Sequence, residues 1–329
     1  MSIFKNSVVL ITGGTGSWGN ELTRQLLEKK PKKIIIYSRS ELQQVNMQRS
    51  FNNSKIKYII GDIRDYKHLV KTSVGVDYIF HLAALKHVPI CEEQQEEAVK
   101  TNIIGTQNVI DAAKENKVKK VIDVSTDKAA DPFNFYGMTK AVGERLMINA
   151  NIDSPKTKFV CIRGGNVLGT NGSIVPFFID QINRLKTILI TDREMTRYYI
   201  TLKEAIHLLF KATENSFGGE TFVMKMPACK VIDIAEVLIK EVANQKIPIK
   251  EIGVRPGEKI HECLIGKNEA PSTYQYDKNY YVILPQVKID GLEKKYKHLK
   301  KVPFKEYSSN DILMNKKEIK EMLKNGNFI

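Results

Sequence analysis

Short apolar segments alternate with longer amphipathic segments over the first half of the chain. The apolar segments at 7–12, 33–38 and 120–126 are rich in the β-branched residues that strands favour. The stretch from Glu21 to Lys29 instead repeats its leucines at helical spacing. This alternation predicts an α/β fold with a doubly wound parallel sheet, of Rossmann type, over residues 1 to about 163.

The pattern changes in the second half of the chain. A glycine-rich loop is predicted at 164–172, and a helix at about 203–213 precedes a further apolar strand. We therefore expect roughly 195–225 to return to the first domain. The segments 164–194 and 226–329 are expected to form a smaller mixed α/β substrate-binding domain, with the binding crevice at the seam.

A glycine-rich loop lies between the first predicted strand and the first predicted helix. Its first glycine allows a tight turn, its second allows close backbone approach, and its third lets the helix pack on the strand. The start of that helix would then face a pyrophosphate. A turn without a ligand is the alternative, and the position between strand and helix disfavours it. The predicted cofactor-binding residues here are Gly13, Thr15, Gly16, Ser17, Trp18 and Gly19.

The second predicted strand ends in Ser38, Arg39 and Ser40. NAD-selective sites usually carry an acidic side chain at this place, which holds the adenosine ribose hydroxyls. Arg39 with its flanking serines instead suits a 2′-phosphate, so the sequence predicts NADP rather than NAD. The alternative is that Arg39 is only a solvated surface charge.

Further cofactor contacts are expected at the ends of the next strands. Asp62 can accept from the adenine amino group, and Ile63 can flank the ring. The small Ala83 and Ala84 let the backbone pass close to the cofactor. Asn102 is another candidate, and a role as an ordinary helix-start residue stays open for it.

Two polar motifs follow the strand at 120–126. Tyr136 and Lys140 are one helical turn apart on the same face, and the ammonium would favour the phenolate as a base. Asp127 and Lys128 add an acid and a second amine that a simple alcohol oxidation does not need. A surface ion pair is the alternative for them, but the carboxyl ends of strands are where open α/β sheets bind ligands.

Cationic residues near the predicted seam suggest an anionic substrate. Arg197 and Arg255 are placed in the sequence to clamp a diphosphate, and Glu258 could accept from ribose hydroxyls. A single arginine is more often part of a surface ion pair. The Pro-Gly turn beside Arg255 favours an ordered role for that residue.

Composition narrows the class of protein. The net charge is +14, from 51 basic and 37 acidic residues, but it is spread along the chain without a basic patch, so no nucleic-acid partner is predicted. No apolar run approaches the roughly 18–20 residues of a membrane span, and we expect no signal peptide and no membrane partner. Four scattered cysteines and six unclustered histidines predict a reducing cytoplasm and no metal.

Together these motifs resemble the extended short-chain dehydrogenases/reductases. They are most similar to the 5-inverting UDP-N-acetylglucosamine 4,6-dehydratases of pseudaminic acid and related amino-sugar routes. The similarity covers nearly the whole chain and weakens after about residue 285. A departure is Gly164, where the family usually has an aromatic residue. The matching motifs are at 12–19, 83–88, 125–129, 136–140, 172–178, 195–197 and 255–262.

The resemblance implies how the two polar motifs work. Tyr136, assisted by Lys140, would take the proton of the sugar 4-hydroxyl, and Thr126 would bond the same oxygen. Lys128, if neutral, would remove the C5 proton, and Asp127 in its acid form would protonate the departing 6-hydroxyl. The opposite assignment within that pair stays open.

The resemblance also implies a tightly bound NADP, UDP-N-acetylglucosamine as the substrate, and a homo-oligomer of undefined size. Lys86 would lie near the cofactor and the sugar, although a plain surface lysine is its alternative. The other implied substrate contacts are Asn166, Ile174 and Val175.

Two other functions compete. A nucleotide-sugar 4-epimerase or ketoreductase would share the fold, Tyr136 and Lys140, but would leave Asp127 and Lys128 unexplained. A non-catalytic NADP-sensing protein on the same fold could dispense with both Tyr136 and Lys140, which are intact here.

Overall fold

The computed structural model describes residues 2–170, 172–243 and 246–329. The strands are β1 (Val8–Thr12), β2 (Lys33–Ser38), β3 (Ile56–Ile60), β4 (Tyr78–His81), β5 (Lys120–Thr126), β6 (Lys158–Gly164), β7 (Asn166–Leu168), β8 (Ile188–Ile190), β9 (Thr196–Thr201), β10 (Thr221–Met224), β11 (Ala228–Lys230), β12 (Ile249–Glu251), β13 (Cys263–Ile265), β14 (Thr273–Gln275), β15 (Tyr280–Ile283) and β16 (Tyr307–Ser308).

The α-helices are α1 (Ser17–Glu28), α2 (Glu41–Phe51), α3 (Tyr66–Thr72), α4 (Val88–Glu93), α5 (Gln95–Ala98), α6 (Gly105–Glu115), α7 (Phe135–Asn149), α8 (Ile174–Asp180), α9 (Leu202–Asn215), α10 (Val231–Val242), α11 (Leu292–Tyr296) and α12 (Lys316–Asn325). A π-helical segment, Val99–Ile104, joins α5 to α6, and a second one, Gln181–Leu185, extends α8. Short 3-10 turns lie at Asp127–Ala129 and Ala270–Ser272. None of these helices has the length and apolarity that a membrane crossing needs.

One nine-stranded sheet forms the larger unit. Its strand order is β14-β15-β10-β6-β5-β4-β1-β2-β3. In this spatial order the seven strands β10, β6, β5, β4, β1, β2 and β3 are parallel. β15 and β14 complete the edge beside β10 in antiparallel pairing. The order 3-2-1-4-5-6 within it is that of a doubly wound dinucleotide-binding sheet, so the predicted fold class is confirmed.

Side chains of the parallel strands alternate between two apolar layers. In β1, Val9 and Ile11 pack on one face with Leu22 of α1, whereas Leu10 packs on the other face with Val109 of α6. Helices therefore cover both faces, and the strands are continuous apolar runs as expected for a buried parallel sheet. The carboxyl ends of the strands are left as the place for a ligand.

A smaller unit lies over these strand ends. It contains the sheet β11-β9-β7, the pair β12-β8 and the helices α8, α10 and α12. These elements share a separate apolar core, which includes Leu168, Tyr199, Ile234 and Leu323. The unit therefore has its own core, while Val167, Tyr198, Ile200 and Ala228 of its three-stranded sheet pack into the core of the larger unit.

Strand pairing differs from the predicted division of the chain in two places. β9, expected in the first domain, pairs with β7 and β11 of the smaller sheet, whereas α9 and β10 return to the larger unit. β14 and β15, expected in the second domain, extend the larger sheet because β15 pairs with β10. β7 lies within the loop predicted at 164–172, whose Asn171 is outside the described residues, as are Asn244 and Gln245 of the predicted second domain. The hydrophobic pattern of a strand of only three or four residues is too short to indicate which other strand it pairs with.

A buried ion network fixes α7 against β6 and the chain before β14. The Arg163 side chain is 2% exposed and donates to Glu144 (2.6 and 3.1 Å) and Glu269 (2.8 and 2.9 Å). It also donates to the carbonyl of Leu264 at 3.0 Å. Since a buried charge is tolerated only when it is paired, these contacts must form together.

Replacement of Arg163 by Met should lower the free energy of unfolding by about 3–5 kcal/mol, because Glu144 would be left buried and unpaired. Urea unfolding measures this change. Arg184→Met is the control, since its ion pair with Asp180 is exposed and should contribute less than about 1 kcal/mol. Equal losses in the two variants would contradict the structural role of Arg163.

Candidate active site

The carboxyl ends of the parallel strands and the smaller unit enclose a cavity of about 960 Å³. Its walls come from the glycine loop, the turn after β5, the start of α7 and the segments around 164–178 and 255–262. The predicted site residues that line it are Gly13, Thr15, Gly16, Ser17, Trp18, Ser38, Arg39, Ser40, Asp62, Ile63, Ala83, Ala84, Lys86, Thr126, Lys128, Tyr136, Lys140, Asn166, Ile174, Arg197, Arg255 and Glu258.

Gly19 and Val175 are predicted site residues that lie behind the cavity wall. A Cβ at Gly19 would be 2.1 Å from the carbonyl oxygen of Gly14, so this glycine permits close packing of α1 as predicted. Val175 is fully buried in the apolar core of the smaller unit. The prediction that Val175 contacts substrate is therefore wrong, because its side chain is on the inner face of α8.

Asn102 is also outside the cavity wall. It is 1% exposed and lies in the π-helical segment between α5 and α6, so it is not a helix-start residue. Its side chain accepts from the Leu85 N–H (2.8 Å) and donates to the Leu85 carbonyl (2.9 Å) and to Thr139 (3.0 Å). Asn102 therefore holds the backbone beside Lys86 in place and does not itself reach the space for a cofactor.

The glycine loop has the shape that a pyrophosphate requires. Gly13 has φ +66°, and a Cβ there would be 2.8 Å from the Ala83 backbone. Gly16 precedes α1 without a side-chain cap, and the first turn of α1 carries no acidic residue. The N–H groups at the start of α1 therefore remain available to an anion, and the helix dipole favours its negative charge.

The end of β2 lines the far side of the cavity. Arg39 is exposed there, while Ser40 accepts from the Gln43 N–H at 3.3 Å and caps α2. Asp62 is engaged by Arg64, whose Nε donates to it at 2.8 Å and whose backbone N–H donates at 3.0 Å. A contact between Asp62 and an adenine amino group would therefore compete with this ion pair.

The turn after β5 brings Lys128 into the cavity wall, and Asp127 is buried behind that wall. Asp127 is 1% exposed, and its Oδ1 accepts from the Thr126 hydroxyl (2.9 Å) and from Lys128 Nζ (3.1 Å). Its Oδ2 is buried and has no hydrogen-bond partner among the described residues. The alternative of a surface ion pair is excluded, because both oxygens are removed from bulk solvent.

The start of α7 places Tyr136 and Lys140 side by side in the wall, as their spacing predicts. Asn134 caps the helix by accepting from the Gly137 N–H at 2.8 Å. The same side chain donates to the carbonyl of Gly257 at 2.8 Å. The cap therefore ties the helix that carries Tyr136 to the turn at 255–258 of the smaller unit.

Lys140 is paired with a residue that sequence analysis missed. Its Nζ lies 3.1 and 3.3 Å from the two carboxylate oxygens of Asp123, which is fully buried in β5. Burial is the largest single effect and opposes the charge of Lys140, but Asp123, Tyr136 and Glu144 together outweigh it and raise the pKa of the ammonium. The available signal was an acidic residue within an apolar strand, which needs a buried partner.

The net shift in the pKa of Tyr136 differs from the prediction. Burial raises the pKa of the Tyr136 phenol, and the opposing effects of Lys140, Lys128 and a hydrogen bond with Thr126 are smaller. Lys140 does lower the pKa of Tyr136 as expected, but in the protein alone burial outweighs this effect and the net pKa is raised. The reason is that a phenolate in this wall would lose its hydration, and Lys140 is already compensated by Asp123.

The surroundings of Lys128 likewise favour its protonated form, whereas a base must be neutral. Its Nζ lies 3.1 Å from Asp127 and 3.0 Å from Glu262, whose side chain is 4% exposed. Burial and Arg197 oppose the charge, but the two carboxylates raise the pKa of Lys128 above its ordinary value. The neutral Lys128 that the resemblance requires of a base is therefore not the form that the protein alone favours. Glu262 belongs to the motif at 255–262 but received no role from the sequence.

The two predicted arginines occupy different environments. Arg197 is 8% exposed, and its guanidinium donates to the carbonyls of Thr196 (2.7 Å), Ile260 (3.0 Å) and Lys259 (2.8 Å). It therefore holds the segment 259–262, and these bonds compete with the predicted diphosphate clamp. Arg255 is exposed at the cavity rim.

Arg255 begins a β-turn of the smaller unit. The N–H of Glu258 donates to the Arg255 carbonyl at 3.1 Å, and Gly257 takes φ +81° at the third position of the turn. Oε2 of Glu258 is buried without a hydrogen-bond partner among the described residues. This oxygen fits the predicted role of accepting from a ligand hydroxyl.

Relatives of the chain are consistent with this site. Residues 9–284 match the profile of a family described as polysaccharide biosynthesis protein. A Campylobacter jejuni protein named UDP-N-acetylglucosamine 4,6-dehydratase (inverting) is 45% identical over 290 residues, which cover 87% of this chain and 85% of the relative. The chain belongs to this polysaccharide biosynthesis family. Its fold is that of the extended short-chain dehydrogenases/reductases.

Other members of the family carry different names. A Rickettsia bellii protein named UDP-glucose 4-epimerase is 40% identical, and the match covers 99% of this chain and 98% of the relative. The crystal structure of Pen from Bacillus thuringiensis is 40% identical with a TM-score of 0.91, and the match covers 99% of both chains. Family membership therefore leaves the choice between dehydratase and epimerase to the chemistry of the site.

The pKa of Tyr136 can be measured in the protein alone. With ¹³C-labelled tyrosine, the Tyr136 signal, assigned by its loss in Tyr136→Phe, should remain that of a phenol beyond the ordinary tyrosine pKa of about 10. The physical reason is that burial outweighs the nearby ammonium groups. Titration at or below the ordinary value would contradict the described balance of charges.

Proposed function

We propose that the protein removes water from UDP-N-acetylglucosamine with inversion at C5 and forms a UDP-2-acetamido-2,6-dideoxy-hexos-4-ulose. The observation that carries this proposal is the buried pair of Asp127 and Lys128 beside Tyr136. A 4-epimerase oxidises and reduces C4 alone and has no use for a second acid–base pair. The name of the Campylobacter relative supports the substrate and the inversion.

The first step uses the residues at the start of α7. Tyr136 first loses its own phenolic proton to solvent, and the Lys140 ammonium, held by Asp123, stabilises the phenolate. The phenolate then accepts the proton of the sugar 4-hydroxyl and becomes a phenol again. A nicotinamide dinucleotide in the glycine cradle would take the hydride from C4 and later return it to C6. The resulting 4-ketone makes the neighbouring C5 proton acidic.

Asp127 and Lys128 carry out the elimination. Lys128 is protonated before the reaction, and a proton shift over 3.1 Å from Nζ to Asp127 Oδ1 gives the amine base and the carboxylic acid together. The amine then removes the C5 proton, and the acid protonates the departing 6-hydroxyl. When C6 regains the hydride, a proton derived from solvent reaches C5 on the face opposite to the one that was deprotonated, which inverts that centre. Thr126 donates to Asp127 and fixes the position of this carboxyl group. The opposite assignment uses the resting forms directly and remains open to test.

Substrate contacts follow from the cavity wall. Glu258 is proposed to accept from the ribose hydroxyls, and Arg255 at the rim is proposed to bind the diphosphate. Lys86, Asn166 and Ile174 also line the cavity and are proposed to contact the sugar. We further infer that the cofactor is NADP, since Arg39 is exposed at the end of β2 and its chain neighbours Ser38 and Ser40 are not acidic. A cytoplasmic homo-oligomer is the expected form.

A UDP-sugar 4-epimerase is the second candidate. The Rickettsia relatives with that name match this chain over nearly its whole length, which is more than the Campylobacter relative covers. The products distinguish the two activities, because an epimerase keeps the 6-hydroxyl.

Incubation with UDP-N-acetylglucosamine in D₂O tests the proposal by NMR and mass spectrometry. We expect a product lighter by one water, with a C6 methyl group and deuterium at an inverted C5. A 4-epimer with an intact 6-hydroxyl would contradict the dehydratase. Water loss with retained C5 configuration would keep the dehydratase and overturn the inversion.

The two members of the acid–base pair should fail differently. If Lys128 is the base, Lys128→Met should abolish exchange of the C5 proton with solvent, since no amine reaches it. Asp127→Asn should slow water loss by about 10²–10⁴-fold. C5 exchange should stay measurable, because loss of the Asp127 charge lowers the pKa of Lys128 and lets the amine form by proton loss to solvent. The reverse pattern would assign the base to Asp127. Formation of the reduced cofactor on substrate addition checks that the C4 step survives in both variants.

Arg39 should determine the preference for NADP. Arg39→Ala should raise the KM for NADP by about 10–100-fold and leave the KM for NAD nearly unchanged, because a charged hydrogen bond contributes about 1.5–3 kcal/mol. Arg49→Ala is the control, because Arg49 is an exposed arginine in α2, the helix that follows Arg39. Equal KM values for the two cofactors in the unmodified protein would contradict the assignment.

A further inference from the structure

Glu262 is the one carboxylate that the smaller unit brings against Lys128 among the described residues. Its Oε1 lies 3.0 Å from Lys128 Nζ and 3.7 Å from Arg197 Nε. Its backbone is held as well, since its N–H donates to the Ser309 hydroxyl at 2.9 Å and its carbonyl accepts from the Ser309 N–H at 2.8 Å. The hydroxyl of Ser309 in turn lies 2.6 Å from that of Thr196 in β9. Glu262 is therefore fixed against the smaller unit, while Lys128 belongs to the larger sheet.

The charges around Lys128 come from every element that packs against it. Asp127 lies in the same turn, Glu262 comes from the segment before β13, Arg197 lies in β9, and Tyr136 comes from α7. Glu262 contacts both cations of this group. Without the charge of Glu262, Asp127 would be the one carboxylate of this group beside Lys128. The repulsion between Arg197 and the Lys128 ammonium would then be less compensated, and the pKa of Lys128 would fall.

We propose that Glu262 is a positioning residue for Lys128, and that its carboxylate holds the ammonium beside Asp127 until substrate is bound. The proposal rests on the proposed function, because it assigns Lys128 to proton transfer at C5. Asp127 Oδ1 and Glu262 Oε1 bracket the ammonium, so Nζ has a fixed place from which it can pass a proton to Asp127. The smaller unit thereby contributes to the proton chemistry as well as to substrate binding.

Titration of Lys128 tests the proposal without substrate. In protein with ¹⁵N-labelled lysine side chains, the Lys128 signal is assigned by its loss in Lys128→Met. Glu262→Gln, which keeps the shape and removes the charge, should shift the titration of Lys128 down by about one to two pH units. Glu262→Asp keeps the charge and should restore most of the shift.

Glu269→Gln is the matched control for this titration. Glu269 lies in the same part of the chain and is also paired with a buried arginine, but its partner is Arg163. The variant should leave the Lys128 titration in place, whereas an equal shift would mean a general loosening of the smaller unit. Thermal unfolding of each variant shows that the comparison is made on folded protein.

Exchange of the C5 proton provides the second measurement. Glu262→Gln should change the pH dependence of C5 exchange by the same shift, with little change in the KM for UDP-N-acetylglucosamine or in the rate of the C4 oxidation. An unshifted Lys128 titration, or a pH dependence of C5 exchange that does not move with it, would overturn the proposal.

The two measurements separate the possible failures. If the unmodified protein does not dehydrate UDP-N-acetylglucosamine, the proposed function fails, while the substrate-free titration still decides whether Glu262 governs Lys128. If the protein dehydrates UDP-N-acetylglucosamine but Glu262→Gln leaves the titration of Lys128 unchanged, only the proposed role of Glu262 is rejected.

Discussion

The site depends on the compensation of buried charges in contact pairs. Lys140 lies 3.1 Å from Asp123, and Lys128 lies about as far from both Asp127 and Glu262. An uncompensated charge at such depth would cost several kcal/mol, so these side chains can be buried only as sets. The pairs consequently arise with the fold, and the reacting groups are held in place before any ligand arrives.

These pairs also connect the two units of the molecule. Asn134 caps the helix that carries Tyr136 and at the same time donates to the carbonyl of Gly257 in the turn at 255–258. The same short segment continues to Glu262, which reaches Lys128. One stretch of chain in the smaller unit therefore lies close to the rim, the catalytic helix and the acid–base pair, which explains why its sequence is rich in charged residues.

Local patterns in the sequence predicted the parts of the site that depend on neighbouring residues. The glycine cradle, β1, β2, the spacing of Tyr136 and Lys140, and the adjacent Asp127 and Lys128 are all of this kind. Contacts between distant segments were beyond such patterns, notably Asp123 with Lys140 and Glu262 with Lys128.

The directions of the pKa shifts failed for a related reason. Proximity in the sequence gave the sign of one neighbour's effect, but the pKa of Tyr136 depends on burial and on all nearby charges together. Similarly, the placement of Val175 inside the core of the smaller unit depends on how α8 packs, which a motif match does not contain. The membership of β9 and β15 in their sheets required pairing partners far along the chain.

The central claim is that oxidation at C4 serves the removal of the 6-hydroxyl within one site. Substrate that carries deuterium at C4 tests it directly, with the product followed by NMR and mass spectrometry. The account predicts that the deuterium is found in the C6 methyl group of a product that has lost one water. Deuterium that remains at C4 of a sugar with its 6-hydroxyl intact would contradict the account.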